Sequence, residues 1–221
     1  MSTADIDETA LHEAAREDVR ALRKVITKAD EDTMRLLLTE ARTHYGWQDR
    51  PVSDATLREI YAIAKMGPTS MNQQPMRLVF IRSQEAKARL EPYLMEANKS
   101  KVNSAPVTAI IGYDTAFYER LPETFPHSPD AKSIFEGKEE LTLANAVRNG
   151  TLQAAWFMIA ARAVGLDTGP MSGFDNAKVD AEFFAGTTVK SNFLCNLGYG
   201  DESKIFVRLP RLSFDDVAQV I

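Results

Sequence analysis

Residues 152–163 constrain this chain more than any other stretch. They read Leu-Gln-Ala-Ala-Trp-Phe-Met-Ile-Ala-Ala-Arg-Ala, a helix-forming run that is apolar on nearly every side. A helix of that kind must be covered on nearly every side. The run sits in a longer helical pattern from about Glu139 to Val164. Gly165-Leu166 closes the pattern as a glycine cap followed by an apolar residue. The core of one fold can supply such cover, but a subunit interface supplies it more easily. A bilayer is excluded as the cover, because the unbroken apolar segment Ala154 to Ala161 is far short of the roughly 20 residues a spanning helix needs.

The remaining composition sets further limits. A chain of 221 residues, 44% hydrophobic and 26% charged, suits one soluble domain with at most an appended segment. Its net charge of -5 gives no global attraction for nucleic acid or an anionic membrane, so an anionic ligand must meet locally concentrated positive charge. The single cysteine, Cys195, has no intrachain partner and no CxxC context. Within Phe193-Leu194-Cys195 it reads as a buried, inert thiol. Met1 to Glu8 is acidic and lacks the basic and apolar regions of a secretory signal. A reducing cytoplasm fits these features.

Residues 1–32 stand apart as an N-terminal helical extension to a main domain at 33–221. Leu11, Ala15, Leu22 and Ile26 recur at helical spacing among charges, Lys28 to Asp32 interrupts them, and a second helix is expected over Thr33 to Ala41. Such an arm can pack on its own domain, wrap a partner subunit or stay partly mobile. Further on, Ser53 is a good N-cap for a helix bearing Leu57, Ile60, Tyr61 and Ala64, and Gly67-Pro68 ends it. Strands are expected at Leu78–Ile81, at Val107–Ile111 near the sheet centre, and at Phe193–Leu197. Phe117 to Lys138, with its prolines, reads as a surface excursion or lid. Short helices are expected at Ala177–Phe184 and after Ser213, the latter with Asp215 and Asp216 near its positive end. Strands and helices alternate without regular βαβ spacing, which favours an α+β class.

Several catalytic signatures are absent: GxGxxG after a strand, GxxxxGK[ST], GxSxG, and any metal-ligand spacing among His12, His44 and His127. Four segments concentrate polar and special-backbone residues instead: Ala41 to Trp47, Gly67 to Pro75, Thr168 to Phe174, and Gly198 to Gly200 with Lys204, Arg208 and Arg211 beyond. Each alone has an ordinary structural reading, as a helix end, a turn or a set of surface charges. Together they fit one ligand. Arginines grip a terminal phosphate bidentately. Asn, Gln and Ser side chains suit the edge of a ring rich in carbonyls and ring nitrogens. A Gly-Pro turn lets backbone N–H groups come close to a ring plane. That set describes FMN.

The same stretches resemble the nitroreductase superfamily, and within it the malonic semialdehyde reductase branch of pyrimidine degradation. The matching residues include Ala41-Arg42-Thr43-His44, Gly67-Pro68-Thr69-Ser70, Gly165 to Phe174 and Arg208 to Phe214. The likeness runs from about Met34 to the carboxyl terminus. It implies an α+β fold with a mixed sheet flanked by helices, and an intertwined homodimer with FMN at the interface. It implies that Arg42, Thr43 and His44 contact FMN, and that Ser70, Asn72 and Gln74 reach the flavin of the other subunit. It further implies that Pro170, Met171, Ser172 and Gly173 face the flavin ring, and that Arg208 and Arg211 hold phosphate, with Lys204 a weaker candidate. NADH or NADPH would supply hydride, and no side-chain catalyst is required. The acceptor implied is malonic semialdehyde, for whose carboxylate Arg120 or Lys132 is a candidate. A broad nitro or quinone reductase and a flavin-binding module without turnover are the alternatives. Met76 departs from the family's common aromatic at that place, and the arm before Thr33 is longer than the branch implies.

Overall fold

The computed structural model describes residues 8–221, and the chain divides into two units, Met1–Glu40 and Ala41–Ile221. Residues 1–7, most of the stretch read as lacking a secretory signal, lie outside the described part. In the first unit, α1 (Glu8–Val25) carries exposed Leu11, Val19 and Leu22, with Ile26 just beyond. Arg20 pairs with Glu13 at 2.8 Å on the same helix. The helical pattern stops where expected, but α2 (Glu31–Met34) begins inside the anticipated break. Asp30 is the reason: its carboxylate accepts the Thr33 N–H at 2.7 Å and nucleates the turn. The helix then widens into a π-type turn at Arg35–Thr39, closed by the Glu40 N–H on the Arg35 carbonyl at 3.0 Å.

The second unit is built on strands β1 (Met76–Ile81), β2 (Val107–Asp114), β3 (Asp167–Met171) and β4 (Val189–Gly198), in the order β1-β2-β4-β3. Its helices are α3 (Asp54–Ala64), α4 (Gln84–Leu90), α5 (Glu96–Ser104), α6 (Leu121–Thr124), α7 (Glu139–Ala163), α8 (Asn176–Phe183) and α9 (Phe214–Val217). The α+β class with flanking helices is as expected. The mixed sheet is not: all three strand pairings are antiparallel, and parallel pairing is confined to an isolated bridge between Thr43 and Thr168. Pro170 in β3 has no N–H to extend a ladder along that outer edge.

Period-two alternation explains why helices lie on both faces. Ala109, Ile111, Cys195 and Leu197 join Ile60 of α3 and Phe157 of α7 in one core. Ile110 and Leu194, which alternate with them along β2 and β4, join Leu90 of α4, Val102 of α5 and Val179 of α8 in the other. Burial pushes the Cys195 thiol up to about 12, so the inert reading stands. The Ser53 cap forms as anticipated, its hydroxyl accepting the Thr56 N–H at 3.0 Å.

Helix α7 ends in a Schellman motif. Gly165 at φ +83° donates to the Arg162 carbonyl at 2.9 Å, and the Leu166 N–H reaches back to Ala161 at 2.9 Å. Only part of α7 is covered by its own chain: Phe157 and Ala161 are buried, whereas Leu152 and Trp156 remain 47% and 42% exposed. Two other expectations change. Residues 117–138 are no loose lid, because Phe117, Leu121, Ala131 and Phe135 form a small buried core with Ala146 of α7. Asp167–Met171, overlapping the Thr168 to Phe174 segment whose Gly-Pro pair suggested a turn, is a strand, because an edge strand tolerates proline.

Candidate functional site

Residues 42–47 form a strap across one end of β3 and β4. The His44 N–H donates to the Thr168 carbonyl at 3.0 Å, Thr43 bridges Thr168, and Trp47 bridges Gly200. His44 does not point outward. Its Nε2 lies 3.1 Å from Asp167 Oδ1, while Asp167 Oδ2 accepts the Gly200 N–H at 2.8 Å. Burial alone would raise the Asp167 carboxyl, but hydrogen bonds from His44 and Gly200, helped by the charges of His44 and Arg162, hold it below the usual range. The ring packs so tightly on Gly200 that a Cβ there would fall 1.8 Å from His44 Nδ1. His44 therefore ties the strap down through Nε2.

The carboxyl-terminal segment is laced to the strap reciprocally. Arg42 Nη2 donates to the Phe206 carbonyl, and Arg208 Nη2 donates to the Ala41 carbonyl at 3.1 Å. Two arginines thus cross-link strap and tail, each guanidinium with N–H groups to spare. Lys204 lays its aliphatic stem along Gly46 and keeps its ammonium 3.6 Å from Asp201. Arg211 behaves differently: it donates to the Leu209 and Pro210 carbonyls of its own turn. Pro170 and Met171 lie in β3 beside the strap, Ser172 is exposed, and the Gly173 carbonyl is occupied by Met95 N and Asn98 Nδ2, each at 3.0 Å.

The Thr69–Gln74 turn forms a second cluster. Met71, Asn72 and Gln74 all adopt left-handed backbone, with φ of 50°, 49° and 45°. Such conformations cost on the order of 1–2 kcal/mol each and persist only where surroundings enforce them. Asn72 donates to the Thr124 carbonyl at 2.7 Å, and Gln74 Nε2 donates to Asn72 Oδ1 at 2.9 Å. Ser70 is held through its N–H, which Asn149 Oδ1 accepts at 2.9 Å. An open cavity of about 500 Å³ runs beside this turn, lined by Tyr61, Gln73, Gln74, Arg77, Arg120 and Thr124 among others.

The anticipated residues thus fall into two groups, not one. Met171 is level with Leu194, then Ile110, then Val79 across the sheet. Three strand spacings, roughly 14 Å, lie between them, and Met76 is about 10 Å farther along β1. The strap and the turn of one chain are therefore roughly 17 Å apart or more.

Several residues that shape the site were not singled out from the sequence. Asp167, Gln73, Asn149 and Gln153 are polar positions inside apolar or loop stretches, and a polar residue interrupting an otherwise apolar helix face was the available signal for the last. Among the described residues, the buried side-chain atoms without a partner are His44 Nδ1, Trp47 Nε1 and Thr168 Oγ1, all within the strap and its anchor. They mark the strap as a place where a bound group or solvent completes the polar network. No cluster of metal ligands occurs among the described residues.

Comparison with known proteins agrees with this geometry. The model of the nitroreductase family matches residues 38–199. A protein of Ralstonia pickettii with the provisional name NADH dehydrogenase/NAD(P)H nitroreductase HadB is 60% identical over 181 residues, 81% of this chain and 92% of its own length. The fold is also that of YdfN from Bacillus subtilis, at TM-score 0.79 and 21% identity over 87% of this chain and 100% of that one. A protein of Exiguobacterium sibiricum solved in complex with FMN has TM-score 0.79 and 20% identity, covering 89% and 100% of the two chains. With a strap, a strained turn and a sheet in these positions, and a family model spanning most of its length, the chain belongs to the nitroreductase family and is an oxidoreductase of that class.

Proposed function

We propose that the chain is an FMN-dependent NAD(P)H oxidoreductase that works as a homodimer. Each site would combine the strap, β3 and tail of one copy with the Thr69–Gln74 turn of the other. The observation that carries this reading is the division of the site residues into two clusters too far apart to share one flavin ring within a chain. A two-fold interface meets that demand directly, since it brings the turn of each copy to the strap of the other.

The donor set fits FMN. Arg42 and Arg208, which cross-link strap and tail, suit a phosphate, with Lys204 close to the strap and Arg211 on the exposed tail. Asn72 and Gln74 suit the polar edge of the ring, and the Pro170–Gly173 backbone suits its face. FMN, when bound, supplies hydride exchange between a nicotinamide and an organic acceptor. The residues of the chain orient the reactants, and backbone N–H groups of β3 stabilise negative charge at the ring edge. No side chain has to act as nucleophile.

Malonic semialdehyde, reduced to 3-hydroxypropanoate, is the acceptor that the sequence resemblance supports. Of the two cations considered for its carboxylate, Lys132 is engaged by Glu119 at 2.7 Å and by Glu136 at 3.7 Å. Arg120, paired with Glu123 at 2.6 Å, lines the cavity beside Gln74 and is the better placed. A broader nitro or quinone reductase is the second reading, favoured by the name of the Ralstonia relative. Anaerobic addition of NADH or NADPH to the purified, FMN-loaded protein tests the class. Bleaching of the yellow chromophore is expected, whereas a colourless or unresponsive protein rejects it. A kcat/KM far higher for a nitroaromatic or quinone than for the semialdehyde would reject the narrower substrate.

A further inference from the structure

Helix α7 presents three amides in one row. Asn145, Asn149 and Gln153 are spaced by four residues, so they share a face. All three reach the segment that carries Asn72 and Gln74. Asn145 Oδ1 accepts Gln73 Nε2 at 3.3 Å, Asn149 Nδ2 donates to Gln73 Oε1 at 2.8 Å, and Asn149 Oδ1 accepts the Ser70 N–H at 2.9 Å. Gln153 Oε1 accepts the Met76 N–H at 2.9 Å. The row therefore grips the turn at its start, its middle and its exit. Gln73, Asn149 and Gln153 are each at most 2% exposed, so these bonds form away from water and have no ready substitute.

The gripped segment is the one with left-handed backbone at Met71, Asn72 and Gln74. Such a conformation relaxes unless it is over-determined from outside. Gln73, at the centre of the strain, is the residue held on both sides by Asn145 and Asn149.

We propose that Asn149, supported by Asn145 and Gln153, is a positioning residue for the flavin reaction, holding the Thr69–Gln74 turn so that Asn72 and Gln74 face the cofactor of the second copy. This rests on the functional reading given above. Asn149 acts through the turn and touches no reactant. Misplacing such a segment by about 1 Å costs on the order of a hundredfold in a positioned reaction.

The test compares wild type with Asn149→Ala and the nearly isosteric Asn149→Asp. Asn149→Asp keeps the acceptor for Ser70 and loses the donor to Gln73. FMN affinity is read by fluorescence quenching, and amide exchange at residues 70–76 is read in the FMN-free protein. FMN affinity is expected to fall tenfold or more in Asn149→Ala and by roughly threefold to tenfold in Asn149→Asp. Exchange at 70–76 should accelerate, while exchange in β2 and β4 stays unchanged. If Asn149→Ala fails to fold, Asn149→Asp alone decides. Affinity within twofold of wild type in a folded variant, or faster exchange spread evenly over the sheet, would overturn the proposal. Wild-type protein that binds no FMN would instead reject the functional reading, and this inference with it.

Discussion

At the residue scale, the site divides side chains that meet a ligand from those that hold the ones that do. In the proposed site, Arg42 and Arg208 belong to the first kind. Arg208→Ala removes one charge-assisted grip and one tie to the strap, so FMN affinity should fall by about ten- to a hundredfold, measured by flavin titration. Asp167 belongs to the second. Its carboxyl is held below the ordinary range, so its carboxylate contributes stability that is complete above the unfolded value of about 3.9 and is lost as pH falls through the lower folded value. Wild-type stability should therefore drop below about pH 4, and Asp167→Asn should flatten that acid limb while lowering stability at neutral pH. Denaturant melts from neutral pH down through the acid limb would show both effects. Arg42 and Arg208 could be proposed from the sequence because phosphate recognition has a residue type. Asp167 was not, because its role exists only once His44 and Gly200 are brought beside it.

At the element scale, alternation and capping were the readable signals. Ser53, Gly165 and the apolar strands behaved as their local chemistry requires. Gly165 offers a clean check: it sits at φ +83° with nothing near a would-be Cβ, so Gly165→Ala should cost about 1 kcal/mol through backbone conformation alone. An equilibrium urea titration should show a lower midpoint with unchanged slope. The errors were also physical. Residues 117–138 looked peripheral because their apolar positions are irregularly spaced, yet Phe117 and Leu121 close a small core against α7. β3 looked like a loop because Gly169-Pro170 resembles turn chemistry, and only its place at the sheet edge makes proline acceptable there. The strained turn at Met71, Asn72 and Gln74 had only a weak local marker in Asn72, since glycine is the usual sign of left-handed backbone and none is present.

At the scale of the whole molecule, the apolar cover missing from α7 points to a second copy. Leu152 and Trp156 on that helix and Phe206, Leu209 and Leu212 on the tail are all exposed in the single chain. Large apolar side chains left exposed in such number are candidates for an interaction face. Wild type should scatter light as a dimer, and Leu152→Glu should shift it towards monomer and weaken FMN binding together. A monomeric wild type that still binds FMN tightly would contradict the shared site. The most direct test mixes two disabled chains, Arg42→Ala and a double variant carrying Asn72→Ala and Gln74→Ala, under conditions that exchange subunits. If strap and turn come from different copies, each mixed dimer regains one intact site. Bound FMN should then rise from near zero to about a quarter of the wild-type amount for random pairing in a two-fold dimer. If both clusters serve the same site from one chain, mixing restores nothing, and the account of a flavin shared between two copies is wrong.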